Sequence, residues 1–101
     1  MVDTTGLIQA VDHFADRLRA APQSRLQRSG AAEALQLARS LARWAQELEG
    51  LEPRDMPDAG MFAAADQVTV AARDLAVVLH TDDEVASAVR LIEEAQKRAG
   101  V

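Results

Sequence analysis

The sequence predicts an all-α protein, a compact antiparallel four-helix bundle of one domain spanning residues 1–101. Three observations predict it. Apolar residues recur at helical spacing almost throughout, and no stretch alternates as a strand would. The periodic stretches are separated by short segments rich in turn-forming residues, above all "GLEPRDMPDAG" from Gly50 to Gly60. The length suits one core without disulfides, which the absence of cysteine rules out in any case. Helices are expected over residues 4–21, 31–49, 59–80 and 82–99.

The first begins near Asp3–Thr5, where short polar side chains can cap free N–H groups. Leu7, Val11, Phe14 and Leu18 share one face. Pro22 disfavours helix in the residue before it, so the helix stops by Ala21. Pro22–Gly30 reads either as a loop, with Ser29 capping the next helix, or as an early helical turn begun by Pro22. In the second helix Leu37, Leu41, Trp44 and Leu48 form a row widened by Ala34, Ala38 and Ala45. Gly50 then closes the helix in the left-handed conformation, with Leu51 folding back on its last turn. Pro53 and Pro57 block continuation, and Asp55 or Asp58 can cap the third helix. The Gly50–Gly60 stretch thus reads as a corner, not a ligand loop.

The third helix carries a core stripe of Met61, Ala65, Val68, Ala72, Leu75 and Leu79. "TDDE" (Thr81–Glu84) matches a capping box at the start of the fourth, whose inner face is Val85, Ala88, Val89, Ile92, Ala95 and Ala99. Glu93 with Lys97, and Glu94 with Arg98, are spaced for favourable pairs along that helix.

The third helix also carries the sequence's main anomaly. Ala63, Val70 and Val77 recur at heptad spacing on nearly the opposite side from the core stripe, with Phe62 also off that stripe and Asp66 and Arg73 alongside. A bundle helix should show one apolar stripe. Either this helix is enclosed by the other three, or Phe62, Ala63, Asp66, Val70, Arg73 and Val77 form an interface for a protein partner or a second copy.

Charge is unevenly placed. Between Arg17 and Arg43 six arginines face Glu33 alone, whereas acids dominate from Glu47 onward, for a net charge of −5. Arg25, Arg28, Arg39 and Arg43 are candidates for contact with an anionic partner, although the acidic balance argues against nucleic acid. Trp44 reads as a partly buried wall of the core. Asp12, His13 and Asp16 diverge around one helix and make a poor metal site, so no metal and no cofactor is expected. No nucleophile elbow, P-loop, HExxH or GxGxxG occurs.

These features suggest a non-enzymatic interaction or self-association module. A second reading is an accessory regulator gripping an anionic partner, nucleic acid included, through the arginine-rich half. A third is a bundle that holds a small ligand or metal. The Ala and Arg bias suggests a bacterial source. The absence of a signal sequence, a membrane-length apolar run and cysteine suggests the cytoplasm.

Overall fold

The computed structural model describes residues 1–101. The protein is an all-α four-helix bundle: α1 (Thr5–Ala20), a short α2 (Gln23–Arg25), a π-helical turn (Leu26–Gly30), α3 (Ala31–Leu48), α4 (Ala64–Val78) and α5 (Asp82–Ala99). No helix is long and apolar enough to cross a membrane.

The apolar rows converge on one core. Leu7, Val11 and Phe14 of α1, Leu41 of α3, Val68 and Leu75 of α4 and Ile92 of α5 are fully buried. Each such side chain contributes about 1.5–3 kcal/mol through burial. Trp44 packs on this core from its edge, as its position in the row predicts. Leu48, read as a core residue, is half-exposed at the last position of α3.

The helices form a ring in the spatial order α1, α4, α3, α5. Their directions follow from which ends meet. Arg19 near the end of α1 pairs with Asp66 near the start of α4, and Asp12 pairs with Arg73, so α1 and α4 are antiparallel. Arg98 near the end of α5 meets Glu33 near the start of α3, so that pair is antiparallel too. In contrast, Ala31 and Leu35 lie beside Ala64, and Ala45 lies beside Val77, so α3 and α4 run parallel. By the same directions α1 and α5 also run parallel, their C-terminal ends meeting around Ala20 and Gly100. The expected antiparallel order therefore holds for two of the four neighbouring pairs and fails for the other two.

A parallel pair needs a return crossover, and the Gly50–Gly60 stretch supplies it. The chain leaves α3 in a Schellman cap: Gly50 has φ +71°, the Gly50 N–H donates to the Glu47 carbonyl, and the Leu51 N–H donates to that of Gln46. It then runs back along α3. The Arg54 N–H donates to Gln46 Oε1 at 2.9 Å, and Arg39 Nε donates to the Met56 carbonyl at 2.9 Å. Gln67 of α4 donates to the Pro57 carbonyl at 3.0 Å. The segment is a pinned strap, not the corner its sequence suggests. The third long helix begins at Ala64 instead of residue 59. Asp58 Oδ1 accepts from the Gly60 N–H, Gly60 sits at φ +95°, and Met61–Ala63 form a turn. A left-handed residue cannot lie inside a right-handed helix.

Pro22–Gly30 resolves as helical. Pro22 is extended (ψ 151°), the helix opens at Gln23, and the π turn feeds directly into α3. Ser29 caps no helix start. Its hydroxyl donates to the Ala99 carbonyl at 3.0 Å, at the far end of α5. The α4–α5 reversal matches its sequence reading. Thr81 Oγ1 accepts from the Glu84 N–H at 3.1 Å, and Glu84 Oε1 accepts from the backbone N–H groups of His80 and Thr81.

The backbone N–H of His80, and then that of Thr81, hold the Glu84 carboxyl below the ordinary glutamate range. A folded-state pKa below the unfolded one stabilises above the unfolded value and loses that effect as pH falls through the folded value. Glu84→Gln should therefore lower the urea midpoint at neutral pH, and the gap from wild type should narrow as the pH falls through the folded-state pKa of Glu84. Thr81→Ala should cost about 1 kcal/mol, read from the same titrations at neutral pH.

Candidate functional site

The outer face of α4 follows from the helix's own geometry. The core claims Ala64, Ala65, Val68, Ala71, Ala72 and Leu75, which turns the 66, 70, 73 and 77 row outward. Because α4 occupies one place in a ring, α3 and α1 cover two of its flanks and α5 barely touches it. The enclosed alternative is therefore excluded. Phe62 is 74% exposed, Val70 58% and Val77 84%. Ala63 is half-buried in the turn that precedes the helix.

The two charged members of the row are tied to α1. Asp66 Oδ1 accepts from Arg19 Nη2 at 2.7 Å, and Arg73 Nη2 donates to both oxygens of Asp12 at 3.3 Å. Asp16 joins the first pair at 3.6 Å. All these groups are largely solvent-exposed, so each pair contributes no more than about 1 kcal/mol to folding. Their placement matters more. Arg19 and Asp12 extend the α4 face sideways onto α1 as alternating charges around exposed valines.

Sequence reasoning missed this contribution of α1. The signal lies in the spacing. Asp12 and Arg19 are one heptad apart, Asp66 and Arg73 are one heptad apart, and the sign order matches opposite partners when the helices run antiparallel.

Beyond Val77 the face opens into a recess of about 650 Å³ between the start of α1 and the end of α4. Val2, Ile8, Ala76 and Leu79 supply apolar walls, with Arg73 and His80 at the rim. Such a recess can take an apolar side chain from a docked surface.

The arginine-rich half divides on inspection. Arg25 donates to the Gly100 carbonyl and so closes the C-terminal end of α5, where a cation is favourable. Arg39 holds the crossover through Met56. Arg28 and Arg43 are exposed and make no hydrogen bond or ion pair within the chain. The four candidates therefore do not form one free basic surface. Arg98 pairs with Glu33 at 2.8 Å instead of Glu94, and no Glu93–Lys97 ion pair forms. Asp12 and Asp16 are each engaged by an arginine, while His13 lines a separate polar groove between α1 and α5 with Gln9 and Glu93, so the three do not converge.

Comparisons with protein-family models, with curated proteins and with solved structures found no match to this chain.

If the apolar members of this face serve no role in folding, polar replacements there are silent. In dilute solution Phe62→Ser and Val77→Ser should each change the unfolding free energy by no more than about 0.5 kcal/mol. Leu75→Ala, from the fully buried side of the same helix, should cost about 2–5 kcal/mol. Urea denaturation followed by circular dichroism measures all three.

Proposed function

We propose that this protein is a non-enzymatic interaction module that docks a protein partner through the outer face of α4. One observation carries the reading. Val70 and Val77 stand exposed on one face of α4, and Phe62 stands exposed in the turn that leads into it, where a lone bundle would place polar residues. Scattered exposed apolar residues are ordinary, but a row of three beside an apolar recess is the pattern of a binding surface. The flanking ion pairs supply a polar rim that fixes orientation.

The arginine-based reading has less support. Two of its four arginines are engaged within the fold, which leaves Arg28 and Arg43 as separate free cations, not one basic surface.

A photo-activatable residue placed at Val77 in the producing cells should form one discrete protein adduct on illumination. That adduct should disappear when Phe62→Ser and Val70→Ser are added. The same probe at Leu91, a half-exposed residue of α5, should give none. Equal labelling from both positions, or no adduct from Val77, would overturn the docking role.

A further inference from the structure

We propose that the occupant of this face is a second copy of the same chain, laid antiparallel across it about a two-fold axis beside Val70. The inference rests on the docking role proposed above and identifies the partner.

A two-fold contact places the same surface on both sides, so the surface must complement its own inverted image. Read from the turn before α4 to the end of the helix, the exposed surface runs Phe62, Asp66, Val70, Arg73, Val77. Inverted, it runs Val77, Arg73, Val70, Asp66, Phe62. Apolar then meets apolar at both ends, acid meets base twice, and Val70 meets the partner's Val70. A foreign partner requires no such inversion in this chain, whereas a second copy does.

The ion pairs to α1 obey the same operation. A two-fold axis perpendicular to the plane of the two α4 helices keeps α1 of both copies on one side of the contact. Arg19, 2.7 Å from Asp66, then faces the partner's Asp12. Asp66 faces the partner's Arg73, which Asp12 holds at 3.3 Å within its own chain. The four charges alternate around a closed ring, and the two-fold axis generates its counterpart across the same seam. On the other flank Asp74 falls near the partner's Gln67. Near the axis Asp16 falls opposite the partner's Asp16, each 3.6 Å from the Arg19 of its own chain. A parallel pairing has the opposite character. It sets Asp66 against the partner's Asp66 and Arg73 against the partner's Arg73, which electrostatics disfavours. Charge therefore selects direction, while Phe62, Val70, Val77 and the recess beyond them supply the desolvated area.

The chain contains no cysteine, which gives a direct geometric test. Sedimentation equilibrium of the unaltered chain at high concentration should give twice the 10.9 kDa chain mass. Under mild oxidation Val70→Cys should cross-link to itself, since facing positions near the axis fall within disulfide reach. Val77→Cys alone should not, because its two copies lie about 20 Å apart along antiparallel helices. An equimolar mixture of Phe62→Cys and Val77→Cys should cross-link, because those positions face one another. A mass of one chain at every concentration would overturn self-association. It would leave the docking role standing if the Val77 adduct described above contains a different protein. Self-cross-linking of Val77→Cys as efficient as that of Val70→Cys would overturn the antiparallel arrangement.

Discussion

The parallel seating of α3 against α4 is the constraint on which the rest of the architecture depends. It is the most extensive helix contact in the fold, made by two helices unusually rich in alanine. Small side chains let helix axes approach closely and fill the seam with many weak contacts. Once these helices run the same way, the chain must travel back along the outside of α3, and the Glu49–Ala63 strap follows. The strap then fixes where α4 begins, which residues of α4 face inward, and which row is left to solvent.

The α4 face also shows how one helix can be loyal to two surfaces. Its buried side is almost entirely Ala, Val and Leu, which suits a tight seam. Its exposed side keeps apolar residues one heptad apart but interposes Asp66 and Arg73, each tied to α1. Salt bridges in water contribute little to folding, yet they fix the direction of long side chains, which would lower the ordering cost of the association proposed for this face. The same exposed row without them would be an unspecific adhesive patch.

Features set by local sequence were legible before the structure. The Thr81–Glu84 capping box and the Gly50 cap depend on residues within one or two turns, and both form as their sequences indicate. The core rows were legible because helical periodicity is a property of each helix alone. The second row on α4 was legible as an anomaly, although the sequence left two explanations open. Helix direction was not legible. Nothing in "GLEPRDMPDAG" distinguishes a tight corner from a strap, because the difference lies in partners such as Arg39 and Gln67 outside it. Asp58 was read as a helix cap from its position, but its carboxylate closes a turn onto Gly60 and delays the helix. The contacts of Arg25 and Ser29 were not legible for a similar reason. Their acceptors, the carbonyls of Gly100 and Ala99, lie at the opposite end of the chain.

The order of helices around the ring has a consequence for how the molecule comes together. α1 and α3 stand on one diagonal, and α4 and α5 stand on the other. Each half of the chain therefore places its two long helices at opposite corners, where they barely meet. Neither half can close a core around itself, and every major seam is sewn between the first fifty residues and the last forty. Assembly is an interlocking of two incomplete frames, so most contacts must wait for distant chain to arrive. A simple up-and-down bundle of the same size could instead zip from one hairpin to the next.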